Sequence, residues 1–277
     1  MSYYQKSKKT KNTEDEFPYL AVILVFIVLV AIIGFVSVFF FDNKSAIENI
    51  DHETFCVKEN LAQKTLILVD TSDKLSPIQK TALNERLWNY VKNIEKNNHQ
   101  VLVFSVENIN DKIIEPILKI CNPGDAKNVN SLIENKKIIS QNFEKHYRDK
   151  IDNIFVNLLD KESSQNSPIM ESIQSIAVSN FIADAQNQTK NKIIIISDLL
   201  QNTENFSFYK GDYNFEKFIK GENYKFLKAD FDGAEIELYF LNRRKDINLQ
   251  NENLREFWIK YFQNQNATVS RFLPIEG

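Results

Sequence analysis

Between Tyr19 and Phe41 the chain carries no charged residue, and only Gly34 and Ser37 interrupt a run of Val, Ile, Leu, Ala and Phe. About 23 such positions make about 34 Å of helix, enough to cross a hydrocarbon core with some tilt. A signal peptide has a shorter apolar region, of about 7–15 residues, and a core helix usually shows a polar stripe. No small-residue cleavage site of the A-x-A kind follows the run. The pattern predicts a retained, single-pass transmembrane helix over residues 18–41. Lys6, Lys8, Lys9 and Lys11 precede it, whereas Lys44 is the nearby cation after it. Cations near a span resist translocation and acidic groups such as Glu14, Asp15 and Glu16 count for little. The expectation is a polar tail, 1–17, in the cytoplasm, a span in the inner or plasma membrane, and the rest of the chain outside it.

Beyond a polar linker, 42–63, residues 64–277 alternate between two periodicities. Thr65–Val69 and Ile193–Ile196 are short, almost wholly apolar runs, as in strands buried on both faces of a parallel sheet. Val101–Val106, Glu235–Leu241 and Thr268–Leu273 read as further strands, and Glu115–Ile120 as a short edge strand before an Asn-Pro-Gly-Asp turn. Helical stripes lie between them, over Pro77–Glu95, Val129–Leu159, Ile169–Ile176 and Leu254–Phe262. This predicts one α/β domain with a Rossmann-like, doubly wound, mostly parallel sheet, preceded by the membrane helix.

A net charge of −3 and a pI near 5.8 leave no basic footprint for phosphate backbones, so no nucleic acid partner is expected. Cys56 and Cys121 lack a matching His cluster, which argues against structural zinc; an extracytoplasmic setting permits them to pair, and their spacing leaves pairing open. His52, His99 and His146 are scattered and read as surface residues. Trp88 and Trp258 read as packing residues, and Arg243-Arg244 either as a pair that meets an acidic partner or, as most such pairs are, as a solvated one. The aromatic stretch Phe206–Tyr224 reads as an interaction loop or a covered edge.

In open parallel sheets ligands bind at the carboxyl ends of the strands, near the point where strand order reverses. Asp70-Thr71-Ser72-Asp73-Lys74 follows the first strand, Ser167-Pro168 opens a helix, and Ser197-Asp198 closes a later strand. Asp70, Ser72, Ser167 and Asp198 would form an all-oxygen set of the kind Mg²⁺ prefers. Each serine before a proline, Ser76 and Ser167, also has the form of a helix N-cap, which needs no metal.

This order of residues resembles the von Willebrand factor A (VWA) family. That family's metal-ion-dependent adhesion site combines an Asp-x-Ser-x-Ser motif after the first strand, a middle-loop hydroxyl, and an Asp after the fourth strand. Asp70 and Ser72 match the first two motif positions, Ser167 the middle hydroxyl and Asp198 the later carboxylate; Lys74 stands at the third motif position, where an ammonium could replace the cation. More narrowly, VDTSDKLSPIQ, LKICNPGD, NSPIMESI, IIIISDLLQNTENFSFY, ELYFLNRR and FWIKYF are similar to uncharacterised bacterial VWA-like proteins with an N-terminal membrane helix. The resemblance implies a protein-interaction module in an envelope-associated bacterial assembly, with mobile-element or defence machinery as one setting. A structural subunit with a vestigial metal site is the alternative. A phosphoester hydrolase is disfavoured and no enzyme activity is expected, because the sequence holds no G-x-x-x-x-G-K-[ST], G-x-S-x-G or H-E-x-x-H motif.

Overall fold

The computed structural model describes residues 17–58, 61–106, 113–125, 135–160, 166–181 and 189–277. The chain divides into two compact units, Met1–Asn49 and Ile50–Gly277. The expected tail lies outside the described residues, apart from Phe17.

The first unit contains helix α1, Phe17–Glu48. Its described side chains from Val22 to Val38 are exposed and almost all apolar. Among the described residues no helix is long and apolar enough to cross a membrane. Residues 18–41 are helical as expected. The helix continues past residue 41 into the segment expected as a linker.

The second unit is a six-stranded mixed sheet with helices on both faces. The strands are β1 Gln63–Val69, β2 His99–Ser105, β3 Leu118–Cys121, β4 Lys190–Ser197, β5 Glu235–Leu241 and β6 Thr268–Ile275. Their order is β3-β2-β1-β4-β5-β6, which places the reversal of winding between β1 and β4. Five strands are mutually parallel. β3 runs antiparallel to β2, which adds an antiparallel edge to the expected parallel sheet.

The apolar strand runs are continuous because each face buries alternate residues. Leu66, Leu68, Ile193 and Ile195 enter one core with Ile173, Phe257 and Trp258. Ile67, Val69, Ile194 and Ile196 enter the other with Leu83, Leu87 and Phe155. The covering helices are α2 Pro77–Val91, α3 Lys136–Gln141, α4 Asp149–Leu159, α5 Ile169–Phe181, α6 Phe215–Lys220, α7 Tyr224–Leu227 and α8 Glu252–Gln263, with a π-helical turn, Asn142–Arg148, joining α3 to α4. α2 begins at Ser76, whose side chain accepts from the Gln79 N–H while the Gln79 side chain accepts from the Ser76 N–H, so the Ser-Pro signal there marks a cap.

Several single-residue expectations change. His99 is buried, with Nε2 2.7 Å from Thr65 Oγ1, because it opens a central strand instead of a loop. Cys56 and Cys121 form a disulfide that ties the segment entering the domain to edge strand β3. Phe206, Phe208, Phe215 and Phe218 pack around Phe257 of α8, so much of the aromatic stretch is core. Trp258 is buried as expected and donates from its indole N–H to the Leu199 carbonyl.

Candidate functional site

Parallel β1 and β4 run side by side and end together. The Asp70 N–H donates to the Ile196 carbonyl at 2.8 Å, so the residues just past both strands share one sheet edge at the reversal point. Here the structure gathers Asp70, Ser72, Ser167 and Asp198, all buried.

Asp70 is the centre. Its Oδ2 accepts from Ser197 Oγ at 2.7 Å and from Ser167 Oγ at 3.2 Å, and its Oδ1 accepts from the Ser72 N–H at 3.0 Å. The Ser167 hydroxyl thus points to the carboxylate. α5 is capped by a different group, the Gln201 side-chain oxygen, which accepts from the Met170 N–H. A two-way backbone bridge between Ser167 and Asn202 holds the Ser167 loop against the segment after β4.

Asp198 is less well supplied. Its Oδ1 accepts from the Leu200 N–H at 3.0 Å, and its Oδ2 lies 3.4 Å from Arg243 Nε. Burial pushes the Asp198 carboxyl up to about 7, and the neighbouring Asp70 adds to the rise; the Leu200 N–H and Arg243 oppose it.

Arg243 follows β5, the strand next to β4, and is the feature that sequence reading missed. Its side chain is 9% exposed, in contrast to the expected solvated pair. Nη1 donates to the Lys74 carbonyl at 2.7 Å and Nη2 to the Asp73 carbonyl at 3.3 Å. Gln250 fixes its backbone: Oε1 accepts from the Arg243 N–H, and Nε2 donates to the carbonyls of Asp198 and Leu241. The Lys74 side chain is exposed, so the cation placed against the site is the arginine and not the lysine at the divergent motif position. Asp73 pairs outside the site with Lys245 at 3.0 Å. A signal for Arg243 was present in the topology: the ends of β1, β4 and β5 share one edge, so a residue just after β5 arrives beside Asp198.

Among the described residues no three His, Cys, Asp or Glu side chains gather as metal ligands. The rim instead offers two carboxylates and the hydroxyls of Ser167 and Ser197, oxygen donors of the kind a hard cation takes, while Ser72 contributes its backbone N–H. Beside it Ile78, Asn242, Arg243, Arg244, Ile247 and Gln250 contribute to a cleft of about 470 Å³ in which Ile78 and Ile247 are exposed.

No family model and no curated protein matches the chain. Among solved structures it is similar to an aerotolerance-related membrane protein from Bacteroides fragilis, at 10% identity over 77% of this chain and 91% of that one, with a TM-score of 0.33. It is also similar to the human COPII-coat protein Sec24c, at 11% identity over 78% of this chain, with a TM-score of 0.32. The chain spans 30% of that Sec24c chain. At such low scores neither likeness bears on what this chain does.

Proposed function

We propose that this chain is a VWA-like protein-interaction module, tethered to a bilayer by its N-terminal apolar helix, which meets a protein partner across the rim of Asp70, Ser72, Ser167 and Asp198. In this reading Mg²⁺ is held by those four side chains, and a carboxylate of the partner completes its coordination. The observation that carries the reading is the convergence of two buried carboxylates and their serine hydroxyls at the switch point between β1 and β4, where open α/β sheets hold their ligands. The exposed Ile78 and Ile247 beside it supply apolar area for a partner surface.

The tether rests on the charge-free sequence from Tyr19 to Phe41. The Cys56–Cys121 bridge supports an oxidising, extracytoplasmic setting for the domain. The assigned context is an envelope-associated assembly of several proteins. A binding role fits better than catalysis, because the buried histidine, His99, opens β2 at the opposite edge of the sheet and leaves the rim serines without a histidine base.

Calorimetric titration of Mg²⁺ into the full chain in detergent tests the cation. Weak binding that disappears in Asp70→Ala is expected; no binding by the unaltered chain overturns the reading that it holds Mg²⁺ without its partner. A structural subunit without a cation is the second reading, favoured by the contact between Arg243 and Asp198.

A further inference from the structure

Two carboxylates at one buried rim carry two negative charges when both are ionised, the state that a bound divalent cation would favour and neutralise. Arg243 alters that balance. Its guanidinium is almost wholly enclosed and anchored by the carbonyls of Asp73 and Lys74, so it cannot withdraw without breaking two hydrogen bonds. Its Nε is buried and makes no hydrogen bond among the described residues, yet stands 3.4 Å from Asp198 Oδ2. An N–H donor left unspent beside a buried carboxylate acts as a fixed positive charge on the site.

We propose that Arg243 is a specificity-determining residue that sets how much positive charge the rim accepts: it fills one of the two charge equivalents, so a divalent cation binds weakly until an acidic group from a partner arrives. This rests on the reading of Asp70, Ser72, Ser167 and Asp198 as cation ligands. With Arg243 in place, the two carboxylates and a divalent cation sum to one excess positive charge, and a partner carboxylate cancels it. Cation and acidic partner therefore favour each other's binding, and reciprocally so. A neutral side chain at position 243 removes the excess and lets the cation bind without the partner.

The test is calorimetric titration of Mg²⁺, with Mn²⁺ as a second probe, into the full chain in detergent and into Arg243→Gln, Arg243→Lys and Arg243→Gln combined with Asp70→Ala. Thermal unfolding with and without Mg²⁺ provides the second readout. Arg243→Gln is expected to bind at least about tenfold tighter than the unaltered chain, since a like charge near the cation has gone. Its unfolding midpoint should rise with Mg²⁺ more than that of the unaltered chain, and Asp70→Ala should abolish both gains. Arg243→Lys keeps a charge with a different reach and should show a smaller rise, which also serves if the Gln variant does not fold. Equal or weaker binding in both position-243 variants than in an unaltered chain that does bind overturns the role of Arg243 and leaves the cation site standing. Absence of binding in every protein overturns the cation site itself, and this inference with it.

Discussion

Breaking the Cys56–Cys121 bridge should cost the domain a large part of its stability. The two cysteines are 65 residues apart in sequence, and the loop they close contains β1, α2 and β2. A cross-link removes conformational freedom mainly from the unfolded chain; in the chain-entropy account a loop of this length is worth about 4 kcal/mol at 25 °C. In the folded state the loss is small, because other bonds hold the same segment. The Cys121 N–H donates to the Thr54 carbonyl at 2.7 Å, the Val57 N–H to Asn97, and the Asn97 side chain to the Phe55 carbonyl. The fold around residues 50–57 is therefore expected to survive without the bridge while the unfolded state gains entropy. For a domain of this size 4 kcal/mol corresponds to a fall of about 10–15 °C in Tm.

The assay is urea unfolding of the oxidised chain, the reduced chain and a Cys56→Ala, Cys121→Ala double variant, with thiol titration under denaturing conditions as the control. The oxidised chain should show no free thiol. The other two should agree with each other, with a lower midpoint and an equal or larger m-value as the freed unfolded chain expands. A loss below about 1 kcal/mol with the bridge verified as formed would refute the loop-entropy reasoning.

His99 is held well below its usual value, at about 4, chiefly by burial and further by Lys192. Its folded pKa is depressed, so the unfolded chain takes up the proton first. Stability should be full above about pH 6.5 and fall by up to about 3 kcal/mol as pH drops to 4, with His99→Gln flattening that part of the profile. Gln79 completes the α2 capping box and donates from Nε2 to the carbonyls of Asn242 and Ile275, so Gln79→Ala should cost about 2–3 kcal/mol in urea unfolding, against about 1 for Ser76→Ala. Ser197→Ala deprives Asp70 of its 2.7 Å donor and the Leu199 N–H of its acceptor, for an expected loss of about 2–3 kcal/mol; a loss under 0.5 would mean that water replaces the hydroxyl without penalty.

The two central strands were legible because burial on both faces leaves a sequence signature, an unbroken apolar run, and β1 and β4 carry the clearest ones. A residue that ends such a run has its place set by the sheet, so Asp70 and Asp198 could be named from sequence. Residues that act through distant contacts leave no comparable signature. Arg243 reaches Asp73 across 170 residues, and in sequence it reads as one of two arginines after a strand. Ser197 was visible but overshadowed by Asp198, although its hydroxyl makes the shortest hydrogen bond that Asp70 accepts from a side chain. For Ser167 the sequence left capping and site contact equally open, since Ser-Pro satisfies both. At Ser76 the hydroxyl caps the helix, whereas at Ser167 a nearby carboxylate takes the hydroxyl and Gln201 supplies the cap. His99 was misplaced for a related reason: a polar residue at a strand start looks like the end of a loop unless its partners, Thr65 and Tyr90 among them, are known.

The two carboxylates also differ in a way that bears on which one responds to an incoming charge. Among the described residues Asp70 accepts three hydrogen bonds, from two hydroxyls and one amide, so its charge is spread over groups that the fold already holds in place. Among the described residues Asp198 accepts from one amide and otherwise has an arginine that approaches without a hydrogen bond. Burial of a charge is tolerated only to the extent that fixed partners replace water, and by that measure Asp70 is close to satisfied and Asp198 is not. Burial, with the Asp70 charge beside it, raises the Asp198 carboxyl, and the Leu200 N–H and Arg243 offset that rise only in part. In the proposed reading, a cation at the rim would gain most at Asp198, beside Arg243. Asp70 therefore organises the rim, and on the proposed reading the pair of Asp198 and Arg243 decides what the rim would hold.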